Sequence, residues 1–311
     1  MILEPCNNKE LIGYNNFFLY LKELFDSNKL PNKIIFSGNK GIGKSTLVFH
    51  LTNYIFSLDE ENKYNFEKNL INEDNNSFKL VNNKSHPNFF FISNNLDDSN
   101  NQISKVRELI SFTNKSSFNN SFKIIVIDNV ELMNKSSVNA LLKLIEEPNK
   151  KIIFFLIHNN NKHILNTLHS RCIKFKMSID IENKQKIINK ILDSSFYDKL
   201  SNDYKNDYIT PGDIFLLNSF FKENEINENT NIEDLLKLIL EKNYFKKNLF
   251  IKNNLSLFVE LFFIKKINYY SSKDKVYNLY KYFISKLNDA IKYNLDTESV
   301  LIELNRKFVN E

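Results

Sequence analysis

Apolar residues in the first half of the chain fall into two kinds of pattern. Short unbroken runs, Ile34-Ile35-Phe36, Phe89 to Ile92, Phe122 to Ile127, Lys151 to Ile157 and Ile173 to Phe175, read as strands, with Phe122 to Ile127 and Lys151 to Ile157 as buried ones of the parallel type. Between them the spacing is helical. Residues 10–30 read as a helix with Leu21, Leu24 and Phe25 on its apolar face, ended by Leu30-Pro31. A second helix follows the first strand to about Phe56, and Ile103, Val106 and Ile110 mark the inner face of a third. Val138, Leu141, Leu142 and Ile145 form one face of a fourth, which Pro148 stops. Residues 58–84 are polar, Asn-rich and aperiodic, and read as a loop or insertion. Ser85-His86-Pro87-Asn88 reads as a turn. The alternation of strands and helices predicts a doubly wound α/β domain with a parallel sheet over residues 1–178.

After Met177 the strand signals stop. Ile187, Ile188 and Ile191 open a small helical region, 179–222, that includes Thr210-Pro211-Gly212-Asp213. Residues 223–311 read as helix throughout, with segments at Ile232 to Leu240, Leu255 to Ile267, Val276 to Ile291 and Val300 to Phe308. Val276, Leu279, Tyr280, Phe283, Leu287, Ala290 and Ile291 make one continuous stripe. Most Phe and Tyr residues on these faces are expected in the core. An excess over what so small a bundle buries would suit helix-to-helix assembly with other subunits.

Composition narrows the function classes. The chain has 311 residues, 42% hydrophobic and 25% charged, the balance of a soluble globular protein of two or three domains. No stretch is long and apolar enough to span a bilayer, and Met-Ile-Leu-Glu-Pro lacks the form of a secretory signal. Two cysteines, Cys6 and Cys172, exclude a disulfide framework and a four-cysteine zinc site, and a reducing cytoplasm is expected. A net charge of +5 permits contact with nucleic acid without arguing for it. There are only three arginines, Arg107, Arg171 and Arg306, amid a large excess of lysines, so an arginine here points to a need for its planar, always-charged fork.

Candidate chemistry centres on Ile34 to Thr46. Three of the five glycines, Gly38, Gly41 and Gly43, crowd into one turn between a strand and a helix. Gly38, Gly43, Lys44 and Ser45 fit G-x-x-x-x-G-K-[ST], the phosphate-binding loop. Gly41 and Thr46 belong to the same cradle, in which backbone N–H groups and a helix N-terminus face phosphates. Lys44 is placed to reach the terminal phosphates of ATP or ADP, and Ser45 to hold Mg²⁺. Asp128 ends a buried strand, where a carboxylate holds that Mg²⁺ through water.

Further residues carry a resemblance. Leu11-Ile12-Gly13, the phosphate loop, Ser85-His86-Pro87, Ile127-Asp128, Asn139-Ala140-Leu141-Leu142-Lys143-Leu144-Ile145-Glu146-Glu147-Pro148 and Ser170-Arg171-Cys172 together resemble the clamp-loader subunits of bacterial DNA polymerase III, a branch of the AAA+ proteins, with the delta-prime family nearest. The likeness covers residues 1–178, and beyond them it is architectural: a helical lid, then a helical collar. It implies a place in a pentameric ring with other clamp-loader subunits (delta, gamma/tau) that opens the sliding clamp and loads it onto primed DNA, with no membrane involved. It implies that Arg171 reaches in trans, as an arginine finger, to ATP bound by a neighbour. It also places Asn159 as a polar sensor of the γ-phosphate.

The departures from that family matter as much. Residues 57–85 contain no cysteine, so the zinc module common in the family is expected to be absent. Asn129 stands where ATP-hydrolysing relatives carry Glu, and an amide cannot accept a proton from the attacking water. Glu131 is nearby but out of register. Asp213 stands where the lid motif often has a sensing arginine. The expectation is a subunit that binds ATP or ADP with Mg²⁺ and hydrolyses it slowly or not at all. The alternatives are an active motor subunit, which Asn129 and Asp213 oppose, and a small-molecule P-loop kinase, for which no acceptor site is visible.

Overall fold

A computed structural model describes residues 4–94, 102–146, 151–160, 162–192, 194–269, 273–293 and 295–309. Glu147 and Pro148, expected to end a helix, lie outside the described residues. The chain divides into two compact units, Met1–Ile187 and Ile188–Glu311.

In the first unit the order is α1 (Asn15–Asp26), β1 (Lys33–Gly38), α2 (Lys44–Phe56), α3 (Asn76–Asn82), β2 (Phe89–Ser93), α4 (Gln102–Asn114), β3 (Lys123–Asp128), α5 (Lys135–Glu146), β4 (Ile152–Asn159), α6 (Asn166–His169), β5 (Ile173–Lys176) and α7 (Ile181–Ile191), within which the division falls. The five strands are parallel in the order β2-β3-β4-β1-β5. Alternate side chains point to opposite faces of a strand, and both faces here are apolar. Ile34, Phe36, Ile124, Val126, Ile153, Phe155 and Ile157 pack with α1 and α2. Ile35, Ile125, Ile127, Phe154 and Leu156 pack on the other face with residues of α4 and α5. Covering both faces is what makes β1, β3 and β4 read as unbroken apolar runs, whereas the edge strand β5 leaves Ile173 exposed, and the predicted doubly wound α/β sheet is the one observed.

Two local expectations are corrected. Residues 58–84 are not a plain loop, because they contain α3 and bury Tyr64, Ile71, Phe78 and Val81. Asn75 caps α3, its side chain accepting from the Phe78 N–H, while the Glu60 carboxylate accepts the N–H groups of Asn76 and Ser77. These caps satisfy first-turn donors that have no partner within the helix. On α4 the buried positions are Gln102, Val106 and Leu109, whereas Ile103 is exposed. Gln102 is buried because its side-chain amide bonds the Leu132 carbonyl and the Asn134 N–H. His86 does take part in its turn, accepting from the Asn88 N–H and stacking on Phe56 at 4.1 Å.

The second unit comprises α8 (Ser194–Lys199), α9 (Pro211–Glu223), α10 (Ile232–Glu241), α11 (Tyr244–Lys247), α12 (Leu249–Tyr269), α13 (Lys273–Tyr293) and α14 (Thr297–Val309). One apolar core runs through it from Ile188 to Leu304. Within the α13 stripe, Val276, Phe283, Leu287 and Ala290 are buried, and Leu279 and Tyr280 pack at the margin. The Ile291 side chain lies outside what is described. Asp213 is the third residue of α9 and closes a capping box with Thr210, each side chain bonding the other's backbone N–H. No helix among the described residues is long and apolar enough to cross a membrane.

Candidate functional site

β1, β3 and β4 lie side by side and parallel, so their C-terminal ends deliver Gly38, Asp128 and Asn159 to one edge of the sheet. Gly38 pairs with Asn159 in register, and β4 runs past the expected Ile157 to end on Asn159. At that edge the chain turns through Asn39 to Gly43 into α2. A side chain at Gly38 would place its Cβ 2.5 Å from the Met177 carbonyl oxygen. Gly43 caps α2 at φ +93°, a conformation that favours glycine. The first backbone bond of α2 runs from the Leu47 N–H to the Gly43 carbonyl, leaving the N–H groups of Lys44, Ser45 and Thr46 ahead of it. Tyr14 braces this turn, its hydroxyl donating to the Ile42 carbonyl at 2.8 Å.

Within the turn the polar groups bond one another. The Lys44 ammonium donates to the carbonyls of Gly38 (3.0 Å) and Asn39 (2.5 Å) and to Asn159 Oδ1 (2.8 Å). Burial pulls the Lys44 pKa down to about 8, against the opposing pull of Asp128 and Glu131. The Ser45 hydroxyl donates to Asp128 Oδ2 at 3.3 Å, and the Thr46 hydroxyl accepts from Asn8. Burial raises the Asp128 pKa, and the Asn129 N–H at 2.9 Å, Lys44 and Ser45 partly offset the rise. A glycine turn whose geometry could cradle phosphates and an oxygen donor pair, Ser45 Oγ with Asp128 Oδ2, are therefore side by side. The pair suits a hard cation such as Mg²⁺, which takes few protein ligands and fills its shell with water and phosphate oxygens.

Gly38, Gly41, Gly43, Lys44, Ser45, Thr46, Asp128 and Asn159 thus come together, and Arg171 does not. Arg171 sits between α6 and β5. Its Nε donates to Glu146 Oε1 at 2.6 Å, and its Nη1 donates to the Thr167 carbonyl at 3.0 Å and Ser170 Oγ at 3.3 Å. The Arg171 side chain is 39% exposed. β5 runs parallel to β1 with Ile173 opposite Ile34, so Arg171 lies at the start of β1. The phosphate loop leaves the far end of β1 at Gly38, roughly 17 Å beyond Lys33 at the usual rise of a strand.

The sequence pattern of a family described as DNA polymerase III, delta subunit, matches residues 13–180. The chain belongs to that family. Among curated relatives, the DNA polymerase III subunit delta' of Buchnera aphidicola subsp. Schizaphis graminum is 29% identical over 179 residues, covering 58% of this chain and 52% of the relative. Its counterpart from Buchnera aphidicola subsp. Baizongia pistaciae is 31% identical over 151 residues, covering 47% and 44%. The chain therefore spans about half the length of the curated relatives it matches. A solved gamma subunit-related DNA polymerase III protein from Thermotoga maritima aligns with a TM-score of 0.46 at 14% identity, covering 91% of this chain and 96% of that one.

The matched span of this delta-family chain contains every sequence-predicted site residue and ends before the helical unit. Glu131 is the site residue that register alone misses. Asn129 takes a left-handed conformation, φ 53°, and starts a tight turn over Val130–Leu132. That turn swings Glu131 back, so that its carboxylate accepts the Asn159 N–H (3.2 Å) and the Asn159 side-chain amide (3.0 Å). Asn129 Oδ1 accepts from the same Asn159 amide at 2.6 Å. The usable sequence signal is an Asn directly after a strand, a residue type that tolerates the left-handed region.

Proposed function

We propose that the chain is a clamp-loader subunit of the delta-prime kind, assisting ATP-dependent loading of a sliding clamp onto primed DNA as part of a DNA polymerase III assembly. Its partners in this reading are the other clamp-loader subunits, delta and gamma/tau, the clamp, and primed DNA through the complex. Arg171 acts in trans on a neighbour's ATP, while the chain's own pocket hydrolyses little or none.

The observation that carries the reading is the placement of Arg171 at the opposite end of β1 from its own phosphate loop, with its side chain part-exposed. A guanidinium so placed serves a phosphate outside its own fold. An always-charged fork beside a reacting γ-phosphate stabilises the charge that spreads over its oxygens.

Two features of the pocket support weak turnover. Asn129 carries an amide where a general base is needed, and that amide is already engaged, donating to the Asn94 carbonyl at 3.0 Å and accepting from Asn159. Lys44 is bonded to its own loop and to Asn159. ATP or ADP would lie along the loop with Mg²⁺ on Ser45 and Asp128; the metal would supply charge neutralisation at the phosphates. Residues 179–222 and 223–311 would serve as lid and collar, the latter joining the subunits.

The test is Arg171→Ala in a loader reconstituted with its partner subunits. The expected outcome is an intact assembly whose ATP turnover falls by a factor within the ~10³–10⁵ range known for arginine fingers. An unchanged rate refutes the role.

A further inference from the structure

We infer that Glu146 is a positioning residue for Arg171, holding the guanidinium so that one edge is presented outward. This rests on the trans-acting reading of Arg171 given above. The guanidinium has three nitrogens and five N–H donors in a rigid plane. Two of its nitrogens are engaged at home. Nε is fixed by the Glu146 carboxylate, and Nη1 by the Thr167 carbonyl and the Ser170 hydroxyl. Among the described residues Nη2 has no partner. A planar fork gripped on two nitrogens has its third direction set.

The grip itself has firm footings. Glu146 is the last residue of α5, whose Leu141 and Ile145 are fully buried. Thr167 belongs to α6 and Ser170 is its C-cap, with the Ser170 hydroxyl also donating to the Thr167 carbonyl. The carboxylate comes from one helix end and the carbonyl from another, so the arginine is aimed by two elements rather than by its own flexible stem. The plain alternative is a surface ion pair that ties α5 to α6. Both side chains are part-exposed, 39% and 53%, and such exposed pairs contribute little to stability. A tie of that size leaves catalysis untouched, so turnover separates the two.

The experiment is a double-mutant cycle in the reconstituted loader, read as kcat and KM for ATP. Glu146→Ala is expected to lower kcat roughly 10- to 100-fold, the scale of a misaimed catalytic group, with KM and the Tm of the isolated chain unchanged. Glu146→Gln, which keeps an acceptor, is expected to recover part of the loss. In an Arg171→Ala background, Glu146→Ala is expected to cost nothing further. The inference is overturned if Glu146→Ala leaves kcat unchanged, raises it, or lowers it by the full factor without Arg171. If Arg171→Ala alone leaves the rate unchanged, the trans-acting reading fails first and the positioning role falls with it.

Discussion

Lys44 has three donors, and the fold supplies three acceptors for them: two loop carbonyls and Asn159 Oδ1. A phosphate entering the loop competes with these bonds. It also meets two carboxylates, Asp128 and Glu131, both close enough to pull on the Lys44 titration. Asp128 is useful to a cation, whereas Glu131 only anchors Asn159 and adds negative charge. Glu131→Gln keeps the hydrogen-bonding shape and removes that charge. Nucleotide is then expected to bind several-fold more tightly, since a unit charge a few ångströms away is worth about a kcal/mol or more even at a protein surface. Titration calorimetry with ADP checks this, and weaker binding would mean that the carboxylate helps to hold the ligand.

At the scale of elements, local chemistry decides what is regular. The strands, α2 and the phosphate loop were legible because apolar runs and clustered glycines are local signals. α3 was not, because its cap residue Asn75 and the Glu60 that shares its first turn sit in a stretch whose polarity looks like loop. Register arithmetic set Glu131 aside, since a strand pattern carried straight on does not anticipate the left-handed Asn129. Asp213 shows the same limit from the other side. Read against a family motif it is a missing arginine; in the fold it completes the cap of α9. Asp213→Ala is expected to destabilise the helical unit by about 1 kcal/mol, the usual scale of a lost cap, measured as a shift in the denaturant midpoint. No loss of stability would leave the capping box without consequence.

At the scale of the whole molecule, mild acid down to about pH 5 acts chiefly on one unit. All five histidines lie in the first unit. His50 is fully buried, bonded to Tyr64 and to the Asn8 carbonyl, and burial pushes its pKa from 6.5 down to about 4. His86 is shifted the same way. The folded unit refuses a proton that the unfolded chain accepts, so stability is full above pH 6.5 and declines as pH falls from 6.5 toward 4. For His50 alone the loss reaches about 2 kcal/mol at pH 5, a large share of the ~5–15 kcal/mol that holds a domain together. Hydrogen exchange read segment by segment is expected to show the sheet unit loosening between pH 7 and 5 while the helical unit holds. His50→Gln is expected to flatten the response, and equal loosening of both units would contradict the assignment.

The separation of pocket and guanidinium along β1 also has a geometric consequence. A body with a socket at one pole and a plug at the other has a front and a back. Bodies joined plug to socket stand in single file, all facing one way, and the contact is never symmetric. Unless such a file closes, its two end members differ, one with an unused plug and the other with an unfilled socket. On the proposed reading, in which this chain's own socket turns over little, it suits the end where the socket stays empty.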